Sequence, residues 1–127
     1  MLPRFLGFVL VSAGLASFVP GVAQAGPEAR CAMCHEFHSD VNRVGPSLKG
    51  VFGRKAGTAK GFAYMFTKYV KGEPWAWDEA HLRVWMDDAR QAIKDFTGNP
   101  QARTRMPALH VRGADADAVI AFLKQLK

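Results

Sequence analysis

Cys31, Ala32, Met33, Cys34 and His35 stand together and are the residues of this chain best suited to chemistry. Two thiols three positions apart, with an imidazole directly after the second, match the spacing by which c-type haem is attached to protein. Each thiol can add across one vinyl group of the porphyrin, and the two thioethers then hold the ring so that the imidazole lies under the iron. Covalent attachment also keeps the cofactor from being lost outside the cell. A disulfide between these cysteines would close a very small, strained loop and leave His35 without a role. A thioredoxin-like pair calls for a preceding strand in a βαβ pattern, and here a leader and small or polar residues precede Cys31. A zinc site needs two further ligands, and His38, His81 and His110 show none of the paired spacings such sites use. The motif therefore predicts one haem c on Cys31 and Cys34, with His35 as an iron ligand.

A sixth ligand has to come from elsewhere, and the candidates are Met65, Met86, Met106, His38, His81 and His110. Met33 lies inside the attachment loop, and His38 falls on the same side of the ring as His35. Met86 belongs to an apolar stripe with Leu82 and Trp85 at helical spacing, which reads as core. His81 lies beside that stripe and reads as a solvated helix residue. Met106 differs, because Thr104-Arg105-Met106-Pro107 is a non-periodic, proline-stopped segment that can lay a side chain over a flat cofactor. Met106 is the expected ligand, against the plain alternative of a loop methionine filling the core. His110 stands in reserve.

These side chains need elements to hold them. One helix is expected from about Asp78 to Met86, with Asp78 and Glu79 favourable in its first turn. A second, short helix should end before Gly98, which suits a left-handed closing position, with Pro100 preventing continuation. A terminal helix carries Val119, Phe122, Leu123 and Leu126 on one face, after the capping candidates Asp115 and Asp117. Glycines at 45, 50, 53, 57 and 61 mark an Ω-like loop over the cofactor edge. Alternating strand patterns are scarce, so the expected fold is a small all-α domain wrapped around its cofactor.

The chain of 127 residues has room for one domain of ordinary size, and 49% hydrophobic with 22% charged residues is globular composition. Residues 1–25 stand apart: Arg4 is their only charge, Phe5 to Val19 is apolar, Pro20 breaks the run, and Ala23-Gln24-Ala25 forms a small-x-small cleavage pattern. They read as a secretory signal peptide cut before Gly26, leaving a domain of residues 26–127. The apolar run falls short of the roughly 20 residues a spanning helix needs. A core this small is marginal on its own, and such domains often lean on a disulfide, metal or cofactor.

Read together, Cys31 to His35, Gly45-Pro46-Ser47-Leu48-Lys49-Gly50-Val51-Phe52-Gly53-Arg54, Gly61-Phe62-Ala63-Tyr64, Trp77, Met106 and the terminal Ala118 to Lys124 resemble a class I cytochrome c. Trp75 to His81 and the residues through Pro100 are similar to the long, insertion-bearing cytochromes c2 of purple bacteria. The resemblance implies that the Pro46 carbonyl accepts the free ring N–H of His35. It also implies that Arg54, Tyr64 and the Trp77 indole surround the haem propionates, core packing being an equal reading for Trp77. Leu48, Trp85 and Leu123 would line the pocket. One departure is that only Gly26 to Arg30 precede the motif, so the opening helix should start at Pro27 and be about a turn short. One face of the terminal helix would then be less covered.

His and Met ligation leaves iron no vacant position, which implies a carrier of single electrons and not an enzyme; the leader implies that it is soluble and periplasmic, and a monomer is expected. The alternative is a small haem enzyme, or a gas- or peroxide-binding cytochrome, whose sixth ligand is displaceable. The formal charge of +6 is spread unevenly. Arg30, Arg43, Lys49 and Lys55 lie near the attachment motif, and Arg103, Arg105 and Arg112 flank Met106, whereas Asp78, Glu79, Asp87, Asp88 and Asp95 fall between. A basic ring around the haem edge would steer the carrier onto acidic patches of membrane redox complexes, a cytochrome bc1-type donor and an oxidase or photosynthetic reaction-centre acceptor. Basic charge in an exported haem protein gives no support to nucleic-acid binding.

Overall fold

The structure is a computed structural model that describes residues 23–127 and, before them, Gly14, Ser17, Val19, Pro20 and Gly21. The leader expected over residues 1–25 falls mainly outside the described residues. The all-α expectation holds: the described residues form three α-helices and two short 3₁₀ segments, with an isolated antiparallel bridge between Lys55 and Ala76 as the sole extended pairing among them.

The chain enters through a 3₁₀ segment, Pro27–Met33, with Gly26 at its cap, proline in the first turn and Glu28 behind it. Proline's fixed φ suits a helical start, and at 7 residues the segment is long for 3₁₀ geometry. It carries the chain into the attachment motif, where the Cys34 and His35 N–H groups both donate to the Cys31 carbonyl at 3.1 and 2.9 Å. A second 3₁₀ turn spans Thr67–Tyr69.

Helix α1 (Glu79–Asp87) starts where the Asp78 carboxylate accepts the His81 N–H, and α2 (Ala89–Thr97) starts where Asp88 accepts from Arg90 and Gln91. Both are side-chain caps that satisfy otherwise unpaired N–H groups. Helix α2 ends at Gly98 with φ 62°, the left-handed position its sequence placement implies. Helix α3 (Gly113–Gln125) begins earlier than its acidic residues suggest: Arg112 is the cap and makes no side-chain bond there. Asp115 lies in the first turn, and Asp117 turns outward to an ion pair with Arg83 of α1.

The core is where these helices meet. Leu82, Trp85 and Met86 of α1, Ala89, Ala92 and Ile93 of α2, and Ala116, Val119, Ile120 and Leu123 of α3 are all buried. Helix α1 packs on α2 and α3, and the Pro27–Met33 segment packs on α3. The short lead-in does not strip α3 of cover, because Phe37, from beyond the motif, meets Phe122 edge to face at 4.9 Å. The glycine-rich loop is tied down by Gly53 N–H to Trp77 carbonyl, Ala56 N–H to Trp75 carbonyl, and Trp77 N–H to Arg54 carbonyl, at 2.8 to 2.9 Å. The loop is thus fastened to the segment that leads into α1.

Candidate haem-binding cavity

Helix α1, the glycine-rich loop, the attachment motif and the 104–109 loop enclose a cavity of about 1250 Å³, part of it open to solvent. Cys31, Cys34 and His35 line it, and so does Met106. Pro46, Arg54, Tyr64 and Trp77 line the same cavity, so the structure brings all eight sequence-predicted site residues together. The wall is otherwise largely apolar, with Leu48, Val51, Phe66, Leu82, Met86 and Leu123 among its residues.

Neither cysteine is in a disulfide; both are half-buried, Cys31 within the 3₁₀ segment and Cys34 at its cap. Burial pushes the Cys31 thiol up, outweighing the nearby Arg30 charge. Among the described residues no group of three or more His, Cys, Asp or Glu side chains is placed to hold a metal, which leaves the zinc reading without a ligand set.

His35 is fixed by its surroundings. Its Nδ1 lies 2.6 Å from the Pro46 carbonyl oxygen. A carbonyl only accepts, so the proton sits on Nδ1 and Nε2 keeps its lone pair. Burial lowers the pKa of the ring, which keeps it neutral and available as a ligand. Pro46 is held in turn by its neighbour: the Ser47 N–H donates to Asn42 Oδ1 at 3.0 Å and the Ser47 hydroxyl to the Ser39 carbonyl. Asn42 spans further, donating through Nδ2 to the Lys60 carbonyl at 2.9 Å. Sequence reading missed Asn42, because neither its position nor its neighbours signal a clamp between two loop segments.

Arg54 donates through Nη1 to the Lys49 carbonyl and through Nη2 to the Ser47 carbonyl, at 3.1 and 3.0 Å. Its Nε is buried without a partner. A buried guanidinium donor left unpaired is costly, and a carboxylate entering the cavity would satisfy it. Tyr64 accepts the Ala59 N–H at 3.0 Å, and burial raises its pKa, so its O–H remains a donor. Trp77 is 8% exposed and packs edge to face on Trp85, so its core and cavity roles coincide.

Met106 is half-buried and accepts a hydrogen bond from the Trp85 indole N–H, with Nε1 3.0 Å from Sδ. Sequence reading placed Trp85 in the pocket wall and missed it as a donor to Met106. The loop is anchored by Arg30, whose guanidinium donates to the Leu109 carbonyl at 3.1 Å.

The other ligand candidates lie differently. Met86 lines the cavity from the core, and Met65 lines its rim, 37% exposed. His110 does not line the cavity. Its φ is 53°, its N–H bonds the Asp87 carbonyl, and its ring lies outside against Asp87 and Arg112, which removes it from reserve. His81 is less solvated than expected, packed 4.9 Å from Phe96 and bonded to Asp78.

The donor set fits a haem: two thiols for attachment, a neutral imidazole, a thioether, an unpaired arginine donor and an apolar wall. Comparison with known proteins agrees. The cytochrome c family model matches residues 21–127. A cytochrome c2 of Rhodospirillum rubrum is 32% identical over 117 residues, covering 88% of this chain and 86% of that protein. Cytochrome c2 iso-2 of Magnetospirillum fulvum is 38% identical over 96 residues, covering 76% and 91%. Among solved structures, cytochrome c2 from Rhodospirillum centenum superposes with a TM-score of 0.68 at 26% identity, covering 80% of this chain and 92% of that one. Cytochrome cH from Methylobacterium extorquens gives 0.58 at 34% identity, covering 77% and 90%. With a family match over nearly the whole described chain and a cavity whose lining fits a haem, the protein belongs to the cytochrome c family, electron-transfer proteins carrying covalently bound haem c and not enzymes.

Proposed function

We propose that this protein is a soluble periplasmic carrier of single electrons, in which Cys31 and Cys34 would hold haem c and His35 and Met106 would ligate its iron. One observation carries the reading: these four side chains, from two distant stretches of sequence, line a single apolar cavity. The haem supplies a reversible one-electron change at its iron.

The chain's own residues set the terms of that change. The Pro46 carbonyl orients the His35 ring and makes Nε2 a better donor. A Met106 thioether, as a weaker donor than a second imidazole, favours the ferrous form and raises the potential. Were His35 and Met106 both to ligate the iron, oxygen and peroxide would have no place to bind, which would separate a carrier from a haem enzyme. Leu48, Trp85 and Leu123 exclude water from the wall, and Arg54 and Tyr64 offer donors to the propionates.

Docking follows from the rim. Arg30 and Arg105 line the cavity, while Met33, Val41 and Val44 are 74%, 60% and 76% exposed nearby in the chain. Lys49, Lys55 and Arg112 are paired with Asp40, Glu73 and Asp87, so the free positive charge of the expected ring rests on Arg30, Arg43, Arg103 and Arg105. Such a rim suits acidic surfaces on a cytochrome bc1-type donor and on an oxidase or reaction-centre acceptor. Residues 1–25 serve export, and the mature chain begins at Gly26.

The test is substitution at Met106. Met106→Ala should bind cyanide quickly in the ferric state, and Met106→His should stay six-coordinate with a lowered potential. A Met106→Ala protein that keeps the wild-type potential and excludes cyanide would overturn the ligation. Intact mass of the periplasmic holoprotein should correspond to residues 26–127 plus one haem.

A further inference from the structure

The peptide group between Leu109 and His110 is bonded at both ends. Its carbonyl accepts from the Arg30 guanidinium at 3.1 Å and its N–H donates to the Asp87 carbonyl at 2.9 Å, so the attachment segment and the end of α1 hold one peptide plane between them. His110 then takes a φ of 53°, the sole positive φ outside glycine among the described residues. A side chain in the left-handed region is uncommon, and histidine is one of the few that tolerate it. Such strain persists only where surrounding contacts impose it. Here the ring lies against the Asp87 carboxylate and the Arg112 guanidinium, at 3.3 and 3.1 Å, and the next N–H, of Val111, donates to the Met86 carbonyl at 3.2 Å.

The place of this bend gives it a use. Leu109 lines the cavity and His110 does not, so the chain leaves the cavity wall at this peptide. Residues 103–109, which carry Met106, contain no helix or strand. Buried Ala102 bounds the segment on one side, and buried Val111 lies just past the bend on the other. Between them, the hydrogen bonds that reach out of the segment among the described residues are those of Met106 Sδ with Trp85 and of the Leu109 carbonyl with Arg30. We propose that His110 is a positioning residue for Met106: its left-handed bend, held by the doubly bonded peptide, fixes the exit of the loop and sets how often the thioether leaves the iron. This rests on the His35/Met106 reading above. For the thioether to leave, keeping its lone pair, the segment must lift from the cavity, and it lifts when the bend opens. A β-branched side chain is a steric outlier at positive φ, whereas glycine adopts it freely. A backbone role therefore predicts opposite results for valine and glycine at this position, and a role for the imidazole alone predicts the same loss with either.

The experiment uses the ferric holoprotein with His110→Val, His110→Gly and Arg30→Gln, and with Lys71→Gln as a control that removes one exposed positive charge away from the loop. Cyanide binding is followed by stopped flow up to concentrations at which the rate levels off, where departure of the Met106 thioether limits it. Hydrogen exchange of the Val111 N–H is measured on the same proteins. His110→Val should raise the limiting rate about tenfold or more, the scale of the backbone strain, and should speed exchange at Val111. His110→Gly should stay within about twofold of the unsubstituted protein, because glycine keeps the bend. Arg30→Gln should raise the rate and Lys71→Gln should not, since the peptide clamp and not net charge is lost. A folded His110→Val protein with the unsubstituted rate overturns the proposal, and so does His110→Gly accelerated as much as His110→Val. Should His110→Val fail to yield holoprotein, an unchanged rate in Arg30→Gln overturns it. A cyanide rate in the unsubstituted protein that rises linearly without levelling off overturns Met106 ligation itself, and the role of His110 with it.

Discussion

His35 Nδ1 lies 2.6 Å from the carbonyl oxygen of Pro46, and the backbone that delivers this carbonyl passes so close to the ring that residue 45 has no room for a side chain. A Cβ built on Gly45 would come within 2.7 Å of His35 Nδ1 and overlap the ring. The same short stretch thus supplies an acceptor and a steric limit, and together they fix both the tautomer and the plane of the imidazole.

Gly45→Ala should therefore displace the ring or the loop. Overpacking of this kind costs about 1–3 kcal/mol. A lowered denaturation midpoint, together with a change in the ferric absorption spectrum, is the expected outcome. Unaltered stability and spectrum would mean the loop yields freely and does not fix the ring.

The core and the cavity wall should respond differently to truncation. Ile93 is fully buried but does not line the cavity, whereas Leu123 is buried and does. Each change to alanine should cost about 2–5 kcal/mol of stability. Only Leu123→Ala should also move the potential, because it alone admits water beside the haem. Thermal unfolding and redox titration of the two variants separate these effects.

How much of this is legible in the sequence depends on the distance over which each residue acts. Cys31, Cys34 and His35 form a contiguous motif, and Gly98 sits at a helix end, so local sequence suffices for both. The start of helix α3 departs from the sequence reading because Asp115 and Asp117 resemble caps, yet Asp117 is drawn to Arg83 of α1, a partner no local pattern announces. Helical spacing shows that Trp85 faces inward but not that its N–H meets Met106. Asn42 is invisible for the same reason, its partner Lys60 lying well along the chain. Sequence alone overcounts the basic ring, since Lys49, Lys55 and Arg112 find carboxylates only in the folded chain.

Removing the attachment points should cost the fold its packing. A cavity of this size in a domain this small leaves apolar walls to be hydrated once empty. A protein with both cysteines changed to alanine and no haem should retain some far-ultraviolet helical signal while losing near-ultraviolet circular dichroism from its tryptophans. A sharp, cooperative melt with native aromatic signal would show instead that the chain stands without its cofactor.

Acid should loosen the start of α1. The Asp78 carboxyl is held below its ordinary range first by the His81 backbone N–H and then by the His81 ring. A depressed folded-state pKa stabilises the protein above the ordinary carboxylate value, and this contribution is lost as pH falls through the depressed one. Asp78→Asn keeps a capping oxygen but cannot titrate, so its stability should fall less steeply over that acidic window. Denaturation midpoints measured across it, for both proteins, provide the comparison.

The rim should be readable with small charged reagents. Arg30 and Arg105 line the cavity and have no carboxylate partner within ion-pair distance among the described residues, whereas Arg112 is paired with Asp87 and lies outside it. An anionic hexacyanide oxidant should react faster at low salt than at high salt, and a cationic hexaammine complex should show the opposite trend. Reversing Arg30 and Arg105 to glutamate should slow the anionic reagent by about tenfold at low ionic strength, and Arg112→Glu should slow it much less. At about 1 M salt, where the screening length falls to roughly 3 Å, the variants should converge. Equal sensitivity of all three positions would mean that net charge steers the reagent, and that the rim around the cavity has no special part in docking.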